Sequence, residues 1–429
     1  MSRERILVGI DVGSSKIATL IANIKEDTLT VIGVSNIAAR GIRKGQIVDI
    51  DEAVKAISEG VESAERMAGV SVSSAFIVVG GSQISSVNSR GVVAVAGGEN
   101  EITEEDVRRV TEAARAISIP SSREILHVIP RDFIVDSQEG IKDPIGMTGI
   151  RLEVETHIIT GATTSMRNLA KCVQQVGVDV EGFVFSGLAS SVSTLTDTEK
   201  ELGVALIDIG GGTTGVTLFV DGAIAHSVVI PIGGKNITND LAIGIRGSLE
   251  DAEKIKLELS RLDKRKNEPV AADEDEEETD HRRKDVMDLS KLDLSEDLGT
   301  LSKKTLVDGI IKPRLTEIFT LVGMEIKRSG YAGLLPAGVV VTGGGAETVG
   351  ITQIGKEVLR MPTRVAYPTG VTGLVDEISS PAYSALTGTL LYGEKLSPTS
   401  TGVSLPRVRG GSVVNFFKGI VGWVRSFIP

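Results

Sequence analysis

Cysteine and aromatic residues are the scarcest components of this 429-residue chain. The single cysteine, Cys172, excludes a disulfide within the chain and is typical of proteins from reducing compartments. Aromatic residues make up only 3% of the sequence, yet four of them fall in the terminal stretch VVNFFKGIVGWVRSFIP, residues 413–429. Four of the fourteen aromatic residues in the chain are therefore concentrated in this one short segment.

Two further absences narrow the classes of function. No window approaches the roughly 18 uninterrupted apolar residues of a membrane-spanning helix, so we expect none. The first residues run directly into a strand-like segment, so we expect no secretory signal. The histidines are His127, His157, His226 and His281. None of them has metal-ligand spacing to another histidine or to the cysteine, which argues against a zinc-type site.

Composition is otherwise that of a globular protein, with 41% hydrophobic and 24% charged residues. Residues 264–297, which include the run ADEDEEETDHRRKD, have 13 acids and 7 bases and so contribute more than half of the net charge of -11. This run has too few apolar residues to offset the entropy lost on ordering, so we predict a disordered surface insertion at about 264–296. A specific acidic recognition segment is the alternative. From Lys395 onward the chain has bases but no acids.

Apolar periodicity predicts an α/β protein. Residues 5–38 alternate like consecutive strands, and SSAFIVVGG predicts another strand. Asp51 is the predicted N-cap of a helix that ends at Gly69. A second helix is predicted to begin near Thr103, where TEED is a capping-box pattern. Strands and helices then alternate over 163–393.

One pattern occurs twice, at residues 8–22 (VGIDVGSSKIATLIA) and 205–220 (ALIDIGGGTTGVTLFV). Each copy has an apolar strand, Asp-x-Gly, small or hydroxyl residues, and a second strand. Such a hairpin leaves a glycine-rich turn whose backbone N–H groups can surround phosphate. One copy alone is more simply a structural β-turn. Two copies predict two homologous halves that clamp one nucleotide.

Side chains of the two turns suit this chemistry. Lys16 adds a compact positive charge. Asp11 and Asp208, at the strand ends, suit a hydrated Mg²⁺ that neutralises the same phosphates. Hydroxyl donors are supplied by Ser14, Ser15, Thr213 and Thr214.

A third glycine cluster, GVVVTGGGAETVGI at 338–351, follows an apolar strand and precedes a predicted helix. Its glycines can approach a flat base or ribose where a side chain would collide. Glu253 and Lys256 share one face of a predicted helix. A surface ion pair explains their spacing most simply, and contact with a ribose is the alternative.

These motifs resemble the actin-type ATPase superfamily, with IDVGSSK, IDIGGGTT, AEKIK and VVVTGGGA in the order of its nucleotide-binding loops. The stretches FSGLASS, VIPIGGKNITNDLA and SPAYSALTGTLLYG and the amphipathic terminus resemble, more closely, the FtsA family of bacterial cell-division proteins. The resemblance covers nearly everything outside 264–296. It implies an actin-like fold, with two duplicated lobes around a nucleotide cleft, ATP with Mg²⁺, and head-to-tail filaments.

The resemblance also implies a set of binding residues. Those facing the nucleotide would be Asp11, Gly13, Ser14, Ser15, Lys16, Asp208, Gly210, Gly211, Gly212, Thr213, Gly233, Gly234, Glu253, Lys256, Gly343, Gly344 and Gly345. Asp11 and Asp208 would hold Mg²⁺ through water. One departure is Gly215, which stands where many actin relatives have an acidic residue, so full Mg²⁺ coordination is not implied.

Domain organisation follows from the same resemblance. The expected units are a first lobe (1–82, 163–196 and about 370–393), an inserted FtsA-type subdomain (83–162), a second lobe (197–228 and 305–369), its outer subdomain (229–304), a flexible linker (394–412) and an amphipathic helix (413–428). The family tethers the tubulin-like division protein FtsZ to the membrane. The FtsZ C-terminal peptide would bind the outer subdomain, and the inserted subdomain would serve filament contacts and later division proteins.

Catalytic power is expected to be low. Faster relatives, such as the heat-shock chaperone ATPases, have a glutamate in the first connecting segment to orient water. Here that segment reads VFSGLASS, without an acid or glutamine. We therefore assign no catalytic residue and expect slow turnover at best. The alternatives are a pilus-assembly scaffold like PilM and a catalytic sugar kinase or chaperone ATPase of the same superfamily.

The terminal segment separates into two faces on a helical wheel at about 100° per residue. The predicted membrane-binding residues are Phe416, Phe417, Lys418, Ile420, Val421, Trp423, Val424, Arg425, Phe427 and Ile428. A terminal helix docked on the protein's own core is the simpler interpretation, but the Ser-, Gly- and Pro-rich stretch before it is typical of a flexible tether. We predict that the helix lies on an anionic surface, the cytoplasmic face of the cell membrane at the division site.

Overall fold

A computed structural model describes residues 5–26, 28–96, 100–267, 285–287, 292–295 and 300–396. The predicted amphipathic helix at 413–428, with all its membrane-binding residues, lies outside the described residues, as does the predicted linker beyond Leu396. Most of the predicted acidic insertion also lies outside them. Its first residues, however, continue a helix that ends at Asn267. No helix of the described ranges has the length and apolar content needed to cross a membrane.

Nineteen strands are present in the described ranges. In chain order they are β1 (Arg5–Val12), β2 (Lys16–Lys25), β3 (Thr28–Ala38), β4 (Ile42–Arg43), β5 (Gln46–Ile47), β6 (Ser74–Val79), β7 (Ile84–Ala94), β8 (Arg123–Val135), β9 (Gln138–Ile141), β10 (Arg151–Ala162), β11 (Asp179–Phe185), β12 (Val204–Ile209), β13 (Thr214–Val220), β14 (Ala223–Ile230), β15 (Val286–Met287), β16 (Leu301–Ser302), β17 (Val339–Thr342), β18 (Thr363–Val365) and β19 (Thr372–Gly373).

Helices connect these strands. They are α1 (Ile50–Ala68), α2 (Glu104–Arg115), α3 (Thr163–Gln175), α4 (Ser186–Thr194), α5 (Asp197–Leu202), α6 (Gly234–Ile245), α7 (Leu249–Asn267), α8 (Lys303–Leu306), α9 (Lys312–Arg328), α10 (Ile351–Leu359) and α11 (Ser384–Leu396). A π-helical turn, Val307–Ile311, joins α8 to α9. Short 3₁₀ turns occupy Gly344–Glu347, Asp376–Ile378 and Pro381–Tyr383.

Two sheets repeat one topology, which confirms the predicted duplication. The first has the order β11-β6-β1-β2-β3-β19 and the second β14-β13-β12-β17-β18. In the first sheet β1, β2 and β3 are antiparallel neighbours and β6 lies parallel to β1. The second sheet has the same arrangement of β12, β13, β14 and β17. Their strands are nearly all apolar because helices cover both faces.

A third sheet, β7-β10-β8-β9, belongs to the segment between β6 and α3. Helix α2 packs on it around a small core of its own that includes Val107, Val110 and Leu152. As predicted, α2 begins with a capping box. The Thr103 backbone N–H donates to Asp106 Oδ2 at 3.0 Å, and the Thr103 hydroxyl accepts from the Asp106 N–H at 3.4 Å.

The predicted N-cap of α1 was wrong by two residues. Asp49, not Asp51, has the extended backbone of a cap, and its Oδ1 accepts from the Glu52 N–H at 3.1 Å. Asp51 lies in the first turn, where its negative charge faces the positive end of the helix dipole. The predicted end at Gly69 is confirmed, since this residue has φ 69° and its N–H donates to the Glu65 carbonyl.

The third sheet also contacts the second lobe at β14, the edge strand of the second sheet. The Ser86 hydroxyl donates to the Ser227 carbonyl at 2.7 Å, and Asn88 Nδ2 donates to the Ala225 carbonyl at 3.1 Å. Buried His157 bridges the Asn88 and Ser227 side chains. These bonds satisfy edge carbonyls of β14, so the subdomain is fixed to the second lobe as well as to the first.

Candidate functional site

The two repeated hairpins turn at equivalent corners of the two sheets. The Gly13 N–H donates to the Lys16 carbonyl at 3.0 Å across the β1–β2 turn. In the β12–β13 turn the Gly210 N–H donates to the Thr213 carbonyl at 2.8 Å. Each turn is therefore closed by one backbone bond, and its remaining amides are held in a tight loop.

The turns face each other at close range. A Cβ added at Gly211 would lie 2.6 Å from Ser15 Cβ, and one at Gly212 would lie 2.9 Å from Ser14 Oγ. Separations below 3.0 Å do not occur between real Cβ atoms and such neighbours, so these positions require glycine. The structure thus brings together the two predicted phosphate loops, which are far apart in the sequence.

The N-terminus of α6 joins the two turns. The Gly234 and Lys235 N–H groups donate to the carbonyls of Gly210 and Gly211 at 2.9 and 2.8 Å. Lys235 Nζ reaches across and donates to the Ser14 carbonyl at 2.7 Å. The sequence analysis predicted Gly233 and Gly234 as site residues but missed Lys235. The position of Lys235, directly after the paired glycines that open α6, could have identified it.

Three charged side chains meet between the turns. Burial raises the pKa of Asp11 to about 6, although the nearby Lys16 ammonium opposes the shift. Burial also raises the pKa of Asp208 and lowers that of Lys16. Burial is the largest cause of all three pKa shifts, because each charged group has lost its hydration. Carboxylates suit a hydrated cation, and an ammonium suits an anionic oxygen.

Asp208 has one partner that the sequence did not reveal. The Ser190 hydroxyl of α4 donates to Asp208 Oδ2 at 3.0 Å, and this bond lowers the pKa of the carboxyl against the effect of burial. Ser190 is fully buried. The stretch FSGLASS was noted only as a family motif, and nothing in its spacing pointed to Asp208.

Lys16 has an unusual environment for a lysine. Its Nζ is inaccessible to solvent and has no hydrogen-bond partner among the described residues. The ammonium instead lies over the ring of Tyr383, 3.7 Å from the ring centroid. A buried ammonium with unused N–H donors is a site for an anion.

The third glycine cluster packs against the second turn. Gly343 has φ 81°, and a Cβ there would lie 2.3 Å from Asp208 Oδ1. A Cβ at Gly345 would lie 2.3 Å from Ile209 Cγ2. At Gly344 the nearest atom, Ala382 Cβ, is an ordinary 3.6 Å away. Protein packing therefore accounts for the first and third glycines, and only the middle one has space on its Cβ side.

Glu253 and Lys256 form the ion pair that their spacing predicted. Lys256 Nζ lies 2.6 Å from Glu253 Oε2 and donates to the Thr238 hydroxyl at 2.8 Å. That hydroxyl donates to Glu253 Oε2 at 2.5 Å. The Lys256 side chain is 12% exposed and that of Glu253 is 41% exposed, so the triad links α7 to α6 with its lysine largely buried and its glutamate open to solvent. Contact of this pair with a ribose stays a prediction.

The described ranges contain no group of three or more His, Cys, Asp or Glu side chains suited to a metal ion. Two carboxylates do not form a complete protein cage for Mg²⁺. Magnesium bound with a nucleotide uses one or two carboxylates together with water and phosphate oxygens. The glycine turns, the buried Lys16 ammonium and the carboxylate pair therefore fit a magnesium–nucleotide.

Comparison with family models gave two matches. A model described as the SHS2 domain inserted in FtsA matches residues 81–160, which overlap the predicted insertion at 83–162. A model described as cell division protein FtsA matches residues 205–388.

Several characterised relatives match almost end to end. The chain is 38% identical to cell division protein FtsA of Pseudomonas aeruginosa over 94% of its length and 92% of the relative's. It is 40% identical to that of Borreliella burgdorferi, over 91% of each chain. Identity to the protein of Escherichia coli K12 is 33%, over 99% of this chain and 98% of the relative.

Solved structures share the fold at low identity. The PilM-PilN type IV pilus biogenesis complex contains a chain with TM-score 0.62 and 13% identity, covering 90% of this chain and 98% of that one. MreB5 of Spiroplasma citri bound to AMPPNP has TM-score 0.50 and 13% identity, covering 91% and 96%. These likenesses confirm the predicted actin-like fold.

Proposed function

Since this chain belongs to the FtsA family of cell division proteins, we propose that it binds ATP with Mg²⁺, forms filaments and anchors the FtsZ ring to the membrane. The observation that carries the nucleotide part is the buried Lys16 ammonium, which has no hydrogen-bond partner among the described residues and lies beside two opposed glycine turns. The same fold holds AMPPNP in MreB5 of Spiroplasma citri.

Each part of the cleft has a task toward the nucleotide. The backbone amides of the two turns and the Lys16 ammonium would bind phosphate oxygens. Asp11 and Asp208 would hold hydrated Mg²⁺, which neutralises phosphate charge when bound. Gly215 lies beside Asp208 across the β12–β13 pair and offers no third carboxylate. Gly344 has the space to face the nucleoside.

Turnover is slow in this proposal because α4 supplies no group that activates water. Its sequence is SGLASSVST, and the hydroxyl of Ser190 in this helix is engaged with Asp208. Without a base or an orienting amide, attack on the terminal phosphate has little assistance. The nucleotide then acts as a switch of filament state.

Membrane attachment rests on the terminal segment. On a helical wheel, the sequence of residues 413–428 separates into one apolar and one partly basic half, and a helix of this kind would bind an anionic lipid interface. One tail gives reversible attachment, and a filament carrying many tails binds more firmly through effective concentration. In the cell this places the protein on the cytoplasmic face at the division site. There its partners are the FtsZ C-terminal peptide, further copies of itself and later division proteins.

A liposome pelleting assay tests the proposal as a whole. The full chain and a truncation after Gly411 are mixed with vesicles containing anionic phosphatidylglycerol, with and without ATP and Mg²⁺. The full chain should pellet with the vesicles, more completely with ATP, and the truncation should stay in solution. Unchanged pelleting of the truncation, or none by the full chain, would contradict the membrane role and favour a scaffold that docks on a protein partner.

A further inference from the structure

The ring of Tyr383 lies directly against the Lys16 ammonium. The two belong to distant parts of the chain: Lys16 begins β2, and Tyr383 ends the 3₁₀ turn before α11. The ammonium lies 3.7 Å from the ring centroid, well within cation–π range. The attraction between the ammonium and the ring compensates for part of the hydration energy that Lys16 lost on burial.

The ring itself is held firmly. Tyr383 is 8% exposed. Its backbone N–H donates to the Ser380 carbonyl at 3.0 Å, and its hydroxyl hydrogen-bonds the Asn36 side chain of β3. Anchored at both ends, the ring presents a fixed face to the cleft and limits the rotamers open to Lys16.

The carboxylates around Lys16 attract the ammonium without bonding to it. Asp11, Glu347 and Asp208 all act on Lys16 electrostatically, yet its Nζ has no hydrogen-bond partner among the described residues. An ammonium on a π face keeps its N–H donors available, whereas one in a salt bridge does not. The position therefore suits a lysine that awaits an anionic oxygen.

We propose that Tyr383 is a positioning residue that holds the Lys16 ammonium ready for the phosphate groups of a nucleoside polyphosphate. The inference rests on the nucleotide-binding function proposed above. Because Lys16 binds only phosphate groups, the Tyr383 ring increases the affinity for ATP and does not change the affinity for adenosine alone.

Three single variants of the full chain test this role. Tyr383→Leu removes the π face, and Tyr383→Phe keeps it while losing the bond to Asn36. Tyr331→Leu removes a ring that lies 5.7 Å from Arg131, outside the cleft, and serves as the matched control. Isothermal titration calorimetry with Mg-ATP gives the affinity for ATP, and competition by adenosine gives that for the nucleoside.

Tyr383→Leu should bind Mg-ATP about tenfold more weakly, the effect of losing a desolvated cation–π contact, with unchanged adenosine affinity. Tyr383→Phe should stay within about twofold of the unaltered chain, as should Tyr331→Leu. Equal losses for ATP and adenosine in Tyr383→Leu would mark a purely structural ring and overturn the inference. So would unchanged ATP affinity in that variant. Failure of the unaltered chain to bind Mg-ATP would instead refute the proposed nucleotide function, and the inference with it.

Discussion

Ser190 donates a hydrogen bond of 3.0 Å from its hydroxyl to Oδ2 of Asp208, and this bond ties α4 of the first lobe to the end of β12 in the second. It is one of the few polar links that cross the cleft at the carboxylate pair. The bond favours the ionised form of a carboxyl whose burial favours protonation. Ser190 therefore offsets part of the effect of burial on the pKa of Asp208 and holds one oxygen of its carboxylate in place.

Replacing Ser190 with alanine should raise the pKa of Asp208 further and weaken Mg-dependent ATP binding about fivefold, the value of one lost hydrogen bond of about 1 kcal/mol. The affinity is measured by calorimetry with and without Mg²⁺. Ser191→Ala is the matched control, since that buried hydroxyl of the same helix bonds only to the Leu188 carbonyl among the described residues. Equal effects of the two substitutions would show that α4 packing, and not the bond to Asp208, matters.

Removing the Asp208 carboxylate itself has a larger expected effect. Asp208→Ala should abolish Mg-dependent nucleotide retention, with a loss of at least about tenfold, because one of two carboxylates near the phosphates is gone. Nucleotide that remains with the purified protein is quantified by chromatography after denaturation. Asp197→Asn changes a carboxylate that is 97% exposed, and it should retain nucleotide normally. Wild-type retention by Asp208→Ala would contradict the assignment of the site.

Gly343 and Gly344 provide a matched pair. Gly343→Ala puts a side chain at φ 81° and within 2.3 Å of Asp208 Oδ1, so it should cost about 2 kcal/mol or more of unfolding free energy and displace the carboxylate. Gly344→Ala meets nothing closer than 3.6 Å and should fold normally. If Gly344 faces the nucleoside, its substitution weakens adenosine and ATP binding together. Denaturant unfolding and calorimetry measure the two effects, and equal stabilities of the variants would refute the packing argument.

His127 makes stability depend on pH. Burial lowers its pKa from 6.5 to about 4, and its Nε2 accepts from the Phe185 N–H at 3.0 Å, which requires the neutral ring. The folded state therefore disfavours protonation. The stability from neutral His127 is fully present above pH 6.5 and is lost as pH falls toward 4, by about 3 kcal/mol at most.

His127→Gln keeps an acceptor for the Phe185 N–H and does not titrate. Its unfolding free energy should fall less steeply than that of the unaltered chain between pH 6.5 and 4. Some slope should persist, because burial also lowers the pKa of His157, to about 3. Parallel pH profiles for the two proteins, measured by urea unfolding, would show that His127 is not the titrating group.

Local patterns predicted much of the fold. Three kinds of feature depend only on residues a few positions away and could therefore be predicted from the sequence. They are the Asp-x-Gly turns, the capping box at Thr103 and the helix end at Gly69. The N-cap of α1 was misplaced because Asp49 and Asp51 are both acceptable caps, and only the backbone path decides between them. The ion pair of Glu253 and Lys256 was predicted for the same local reason.

The two glycine turns, their aspartates and the lysine that follows the first turn could be predicted from the sequence, because each turn needs residues of special conformation at fixed spacing. The contacts that those groups make depend on the tertiary structure. Ser190 contacts Asp208, Tyr383 contacts Lys16, and Lys235 contacts Ser14. The two residues of each pair are too far apart in the sequence for a local pattern to predict their contact. Such contacts follow from how two separately folded sheets face each other, and that depends on the packing of the whole core.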